Sequence, residues 1–394
     1  MGKRALTVVQ MLPDLEEGGV ECETVELSGY LTGQGHRSIV ISRGGRMVAD
    51  LTAAGGEHLA WAHIGEKSPR CLAHLLPLRR LLVRSRVDIL HLRSRLPAWV
   101  GYLAWKSLPG AKRPGLVTTF HGFYSVNAYS AIMTRGQRVI AVSRTIAGHI
   151  EAAYGLPADS MDIVYGGYDE TRFDPERVGI ERKTGLLGQW GVAEHHPPII
   201  LLPGRITRLK GHDLFIRSLS KIRELPWLAV CAGDTAENPK LHQELRELAD
   251  SLGVADRVRF VGYCADMPAA LMAARVVVSA STQPESFGRI AVEAQAMGTP
   301  VIATAHGGSL EVVLDGESGW LVTPGDEARM ARAMAAAITD KDRAMRMGKA
   351  GRAWVRRQFT ARKTFERTVA VYHKLLGDAA SRDGKNGTRR MGEG

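Results

Sequence analysis

Two carboxylates, two cations and several glycines in the second half of the chain have the types and spacing to hold a diphosphate joined to hydroxyl-bearing rings. In the stretch Glu285-Ser-Phe-Gly-Arg-Ile-Ala-Val-Glu293 the second glutamate follows the first by about two helical turns, which spreads the carboxylates along one groove. A carboxylate accepts from two vicinal hydroxyls at once, so one glutamate suits a sugar and the other a ribose, while the N–H groups of Phe287 and Gly288 suit phosphates. The competing structural role makes Glu285 a helix cap and puts Glu293 on an exposed helix face. In Pro203-Gly204-Arg205-Ile-Thr-Arg-Leu-Lys210-Gly211, glycines give backbone access, Arg205 offers a planar fork and Lys210 a point charge for a diphosphate. A third loop, Thr304-Ala-His306-Gly307-Gly308-Ser309-Leu-Glu311, opens a helix with two glycines and reads as another anion-binding helix start, unless Glu311 serves only the helix dipole.

The first half offers fewer candidates. Phe120-His121-Gly122 ends a buried strand and carries an imidazole to its tip, where a lone histidine is more often structural than functional, and Gly18-Gly19 brings backbone close to a ligand after the first strand or forms an ordinary turn. His195-His196 precede Pro197-Pro198 in a linker, and Asp340-Lys-Asp342 lies in a charged segment between helices. Neither pair reads as a metal site. The four cysteines (Cys22, Cys71, Cys231, Cys264) are scattered without Cys-x-x-Cys pairing, as in reduced cytoplasmic proteins.

These loops need strands to hold them. Apolar strands are expected at Ala5–Val9, Gly35–Ile41, Asp88–His91, Leu116–Phe120 and Arg138–Val142, with a turn over Glu17–Val20 and a helix over Glu21–Thr32. A second series follows the Gly- and Pro-containing stretch 185–198, at Ile199–Leu202, Leu228–Ala232, Val258–Val261, Val276–Val278 and Pro300–Ala303. Strands alternating with helices predict an α/β fold of two Rossmann-like, doubly wound domains, whose ligands bind beyond the carboxyl ends of the strands. The 394 residues suit two cores. The expected division is 1–185, 186–360, a helix over 361–377 and a disordered polar tail over 378–394. Phe365, Val369, Tyr372 and Leu376 stand at helical spacing in the third of these segments.

The net charge is +11, and it is uneven: Arg79, Arg80, Arg84, Arg86, Arg93, Arg95, Lys106 and Lys112 lie between Arg70 and Arg113, opposed by Asp88. Such a region attracts an anionic substrate or lipid headgroups, or is a solvated face. No recognition motif accompanies it, so nucleic acid is not an expected partner. The N-terminal apolar run stops at Pro13-Asp14, too short for a signal peptide, and no run of about 18 apolar residues exists to span a bilayer.

Together these residues resemble the retaining glycosyltransferases of family 4, which have the GT-B fold of two Rossmann-like domains facing across a cleft. The resemblance rests on Gly18-Gly19, His121-Gly122, Ala141-Val142-Ser143, Gly204-Arg205 with Lys210-Gly211, Gly233-Asp234, Glu285 to Glu293, Met297 to Val301, Gly307-Gly308 and Gly319-Trp-Leu-Val322. It implies a nucleotide-sugar donor, UDP or GDP being left open, with Glu285 on the sugar, Glu293 on the ribose, and Arg205 and Lys210 on the diphosphate. It further assigns Phe287, Gly288 and Arg289 to phosphate and sugar, Tyr263 to the nucleobase, His121 to the transferred sugar, and Gly18, Gly19 and Gly204 to backbone approach. Neither an essential metal nor a cofactor is implied. One departure is Val164-Tyr-Gly166-Gly167, where the family usually shows Asn or Arg before the second glycine.

The segment His91-Leu-Arg93-Ser94-Arg95-Leu-Pro97-Ala98-Trp99 is similar to a pattern in bacterial transferases that extend the lipopolysaccharide inner core. It implies Arg93 and Arg95, with His121, as contacts for an anionic saccharide or lipid-linked acceptor, and a cytoplasmic enzyme peripheral on the inner membrane face. A sugar-nucleotide epimerase of the same fold, or a non-catalytic binding subunit, are the alternatives.

Overall fold

The computed structural model describes residues 4–16 and 18–389, with side chains described as far as 377. The chain forms two compact units. The first comprises residues 1–165 together with 362–394, and the second residues 166–361.

In the first unit, β1 (Thr7–Met11), β2 (Arg37–Ser42), β3 (Glu57–Ala60), β4 (Ile89–Leu92), β5 (Gly115–Phe120), β6 (Arg138–Ala141) and β7 (Met161–Ile163) make a sheet ordered β3-β2-β1-β4-β5-β6-β7. In the second, β8 (Ile199–Pro203), β9 (Leu228–Ala232), β10 (Val258–Phe260), β11 (Val276–Ser279), β12 (Val301–Thr304) and β13 (Gly319–Val322) are ordered β10-β9-β8-β11-β12-β13. Every pairing in both sheets is parallel. Central strands such as β11 are buried along their whole length, as parallel strands covered by helices on both faces must be. Each sheet reverses its winding once, between β1 and β4 and between β8 and β11. A doubly wound sheet opens a crevice for ligands at that point.

The division falls between Tyr165 and Gly166 rather than at residue 185, and local packing explains why. Tyr168 N donates to the Phe359 carbonyl at 3.0 Å and Ala361 N to the Tyr168 carbonyl at 2.9 Å, which ties this stretch to the end of the second unit. Gly167 must be glycine for this, since a Cβ there would lie 2.6 Å from Ala361 N.

The last helix, Ala361–Arg389, returns to the first unit. Phe365 packs on Tyr30 with ring centroids 5.6 Å apart, and the Tyr372 hydroxyl meets His91 Nδ1 at 2.7 Å. The stretch expected to be a disordered tail is therefore helical as far as Arg389, and 390–394 lie outside the described residues. The first helix, Gly19–Gly33, starts before the expected Glu21, so Gly19 and Val20 are helical and Gly18 is its N-cap. Glu17, at the start of the expected turn, lies outside the described residues. The strands β3, β7 and β13 were not anticipated: they are edge strands of only three or four residues, too short for an alternating or continuous apolar run to mark them.

Candidate active site

The reversal between β8 and β11 gathers the loops singled out in the second half of the sequence. Gly204 follows β8 with φ near +146°, a backbone that favours glycine. The Arg205–Gly211 loop then bends back so that Lys210 Nζ donates to Glu285 Oε1 at 2.7 Å. Ser281, just past β11, donates its hydroxyl to the same oxygen at 2.5 Å. Burial alone would raise the Glu285 carboxyl, but the Lys210 ammonium, the hydrogen bonds from Lys210 and Ser281 and the nearby His306 outweigh it and hold the group below its ordinary value. His306 is itself fixed, its Nε2 donating to the Ser281 carbonyl at 2.9 Å.

Glu285 caps nothing. The helix Arg289–Ala296 starts later, behind Gly288 at φ +93°, and Glu293 is buried on it with its Oε1 accepting from Arg289 Nε at 2.8 Å. Glu293 is thus buried, Glu285 partly so, and both are ionically paired, which the capping and surface roles do not explain. The third loop has a different task from the one expected: the helix it opens, Ser309–Val312, is only four residues long. Gly307 and Gly308 instead let this loop lie against residues 285–287. Gly308 N donates to the Glu285 carbonyl at 2.7 Å, and a Cβ on Gly308 would come within 2.5 Å of Phe287 Cα. The Phe287 ring is buried, 5.6 Å from the Phe359 ring, and a Cβ on Gly166 would lie 2.8 Å from it, so the unusual Gly166 leaves room for this aromatic.

In the first unit a buried polar layer runs along β1, β4 and β5. His91 on β4 hydrogen-bonds Tyr372 and, through Nε2, Thr119 Oγ1 at 2.6 Å. Two residues on, Arg93 is fully buried: its Nη2 donates to Glu23 Oε1 at 2.6 Å and its Nη1 to Gln10 Oε1 at 3.2 Å. Arg93 is therefore enclosed in the fold with both terminal nitrogens paired and its buried Nε without a hydrogen-bond partner among the described residues, so it does not stand on the surface as the expected acceptor contact would. His121 ends β5 with Nδ1 3.9 Å from Glu23 Oε2, and its buried Nε2 has no hydrogen-bond partner among the described residues. Burial, opposed by Glu23 and reinforced by Arg93, lowers its pKa to about 4. Its imidazole is neutral at physiological pH. Arg95 lies at the start of the helix Arg95–Lys106, its guanidinium 4.8 Å from the centroid of the Tyr124 ring and 5.6 Å from that of Tyr129, and Lys67 Nζ stands 5.5 Å from the Tyr129 centroid. Gly18 has φ +147°, and a Cβ there would meet Glu21 Oε2 at 2.3 Å.

The description "Glycosyltransferase Family 4" matches residues 17–172, and "Glycosyl transferases group 1" matches residues 191–354. The crystal structure of a glycosyltransferase from Rickettsia africae superposes with a TM-score of 0.87 at 30% identity, covering 95% of this chain and 99% of that one. The chain belongs to glycosyltransferase family 4. Its two Rossmann-like units are those of the GT-B fold. A structure of Anabaena HepE in complex with UDP-glucose shares that fold, with a TM-score of 0.79 at 22% identity over 95% of this chain and 100% of that one. The D-inositol 3-phosphate glycosyltransferase of Salinispora arenicola is 31% identical over 64% of this chain and 56% of its own length. The chain thus spans little more than half of that curated relative.

Within this family 4 chain, the residues brought together in the second unit are Gly204, Lys210, Ser281, Glu285, Gly307 and Gly308, with Arg289 and Glu293 on the adjoining helix. Tyr263 follows β10 and is 59% exposed. His195 and His196 lie in the loop between the helix Ile180–Gln189 and β8, inside the second unit and not in a linker between the units, where His196 Nδ1 meets the Pro197 carbonyl at 2.7 Å, and Asp340 caps the helix Lys341–Gln358. Among the described residues no three of His, Cys, Asp and Glu gather as a metal site, and no helix is long and apolar enough to cross a membrane. Sequence reasoning missed Ser281, His306, Glu23, Gln10 and Lys67. Ser281 stands four residues before Glu285 in the same loop and was within reach of inspection. The others meet their partners only through the fold.

Proposed function

We propose that this family 4 glycosyltransferase moves a hexosyl group from a UDP- or GDP-sugar to an anionic saccharide acceptor, with retention at the anomeric carbon. The observation that carries the reading is the Lys210–Glu285 pair, set at the winding reversal of the second sheet between the turn at Gly204 and the loops that end β11 and β12. A cation beside a sugar-binding carboxylate is what a sugar diphosphate presents work for: phosphate claims the ammonium and hydroxyls claim the carboxylate. Glu293 takes the ribose hydroxyls, and the backbone over Phe287, Gly288 and Arg289 the phosphates and sugar. Tyr263 lines the base, and Gly18 and Gly19 lie by the diphosphate.

In the proposed step the bond from the anomeric carbon to the diphosphate breaks and the acceptor oxygen bonds to the same face. The acceptor proton passes to the departing phosphate oxygen. Arg205 and Lys210 stabilise the charge that develops there, so catalysis is positioning and electrostatics, with no essential metal and no cofactor. His121 contacts the transferred sugar.

For the acceptor, support comes from Arg95 and Lys67, cations gathered on the tyrosines of the first unit. They suit a carboxylate or phosphate on a sugar, and a curated relative bears the name of a transferase for inositol phosphate. A cell-envelope glycan acceptor, of lipopolysaccharide core or another kind, on the inner membrane face fits the helix Leu75–Arg84. On it Leu76 is 60% and Val83 38% exposed, and Arg79, Arg80 and Arg84 are exposed among them. Apolar side chains among arginines suit an anionic bilayer surface. Product analysis by NMR tests the reaction: a new glycosidic bond with the donor's anomeric configuration is expected. An inverted bond, or an altered free nucleotide sugar as an epimerase would make, overturns it.

A further inference from the structure

The geometry points to Glu23 as a positioning residue that sets the proton of His121, with Arg93 and Gln10 as its support. The inference rests on the reading of His121 as a contact for the transferred sugar.

Three elements build the device. Gln10 lies on β1, Arg93 directly after β4, and Glu23 in the second turn of the helix Gly19–Gly33, so the pair meets at the winding reversal of the first sheet. Arg93 has no exposed side-chain surface and cannot lose its charge. A buried guanidinium needs an ionised partner, and Glu23 Oε1 at 2.6 Å is that partner. Gln10 Oε1 at 3.2 Å from Nη1 fixes the plane of the fork, and Gln10 in turn donates to the Thr24 carbonyl at 3.4 Å. With one oxygen held by Arg93, the other carboxylate oxygen of Glu23 is left 3.9 Å from His121 Nδ1.

That placement decides the tautomer. A carboxylate beside Nδ1 favours the proton there, so Nε2 keeps its lone pair and accepts. Burial, opposed by Glu23 and reinforced by the Arg93 charge, keeps a second proton off the ring, so the imidazole stays neutral. His121 Nε2 is also buried without a hydrogen-bond partner among the described residues, and a buried acceptor left unpaired is costly. A sugar hydroxyl donating to Nε2 removes that cost. His121 then recognises an O–H donor rather than an oxyanion, and Glu23 acts only through it. Nothing else in the family 4 reading uses Glu23, Gln10 or the buried Arg93.

Histidine-selective 15N NMR of the full chain, with His121→Asn to assign the signal, reads the tautomer directly. The wild-type His121 is expected as the neutral ring protonated at Nδ1. In Glu23→Gln the Nδ1–H population falls, and the kcat for whichever of UDP-glucose and GDP-mannose the protein turns over drops at least tenfold while KM for that donor stays within threefold. Glu23→Asp, which keeps the charge, recovers part of the kcat. A wild-type ring protonated at Nε2 overturns the inference, even should Glu23→Gln fail to fold. So does a Glu23→Gln protein with the wild-type tautomer and turnover. His121→Ala separates the two readings: full turnover there defeats the role of His121, while the tautomer measurement still decides what Glu23 does.

Discussion

Lys210 Nζ lies 2.7 Å from Glu285 Oε1, so the cation proposed for the diphosphate and the carboxylate proposed for the sugar are paired with one another within the fold. Neither charge then waits unpaired in a half-buried site, and a sugar diphosphate exchanges one ion pair for two sets of polar contacts. Lys210→Met and Arg205→Ala are each expected to lower kcat/KM at least tenfold, the effect of losing about 1.4 kcal/mol of transition-state stabilisation. Steady-state kinetics with the turned-over donor checks this, and unchanged turnover in either variant removes that residue from the mechanism.

Gly308→Ala should be destabilising without touching any ligand directly. Its Cβ would sit 2.4 Å from the Phe287 carbonyl oxygen and 2.5 Å from the carbonyl carbon, both backbone atoms that can move only with the loop carrying Glu285. Forced overpacking of this kind costs roughly 1–3 kcal/mol. Urea unfolding is expected to show that loss together with weaker donor binding. A variant as stable as the wild type would mean that the loops do not pair as described.

Acid should weaken the fold through two buried histidines. Burial, opposed by Glu23 and reinforced by Arg93, lowers the pKa of His121 to about 4; burial, opposed by Asp213 and reinforced by Lys210, lowers that of His212 to about 4. Between these values and the ordinary imidazole value of about 6.5 the unfolded chain binds more protons than the folded one, so stability rises with pH through that window. It is fully present above pH ~6.5 and is lost on the order of 3 kcal/mol per histidine as pH falls to ~4. Thermal midpoints from pH 7 to 4.5 should fall, and His212→Leu should flatten the fall. An equal slope in His212→Leu contradicts the assignment.

How much of this was legible in the sequence depends on distance along the chain. The donor-side loops could be read because each follows a buried strand and carries its glycines and charges within a few residues. Even there the reason for Gly307 and Gly308 was hidden, because it is the backbone of another loop that needs them small. Arg93 reads as a surface cation from its neighbours Arg95 and Ser94, and only its pairing with Glu23, on another element, shows that it is buried. The last helix was legible from Phe365, Val369 and Tyr372, whereas the hydrogen bond from Tyr372 to His91 joins residues far apart in sequence that no local pattern relates.

Membrane attachment through the helix Leu75–Arg84 predicts binding to vesicles containing phosphatidylglycerol, weakened by salt. Each arginine near such a surface contributes about 1 kcal/mol, so Arg79→Glu with Arg80→Glu should reduce binding more than tenfold. Leu76→Glu should reduce it at every salt concentration, because the exposed leucine acts by burial. Sedimentation of the protein with vesicles measures both, and wild-type protein left in the supernatant at low salt contradicts the attachment.

The most direct test of the central claim is a thermal-shift titration of the wild type, Lys210→Met and Glu293→Ala with UDP-glucose and GDP-mannose. A ligand at a hundred times its dissociation constant stabilises the folded state by about 2.7 kcal/mol. The wild-type midpoint is expected to rise with at least one of these donors, and to rise much less in both variants. No shift with either donor in the wild type, or shifts of equal size in all three proteins, would contradict it.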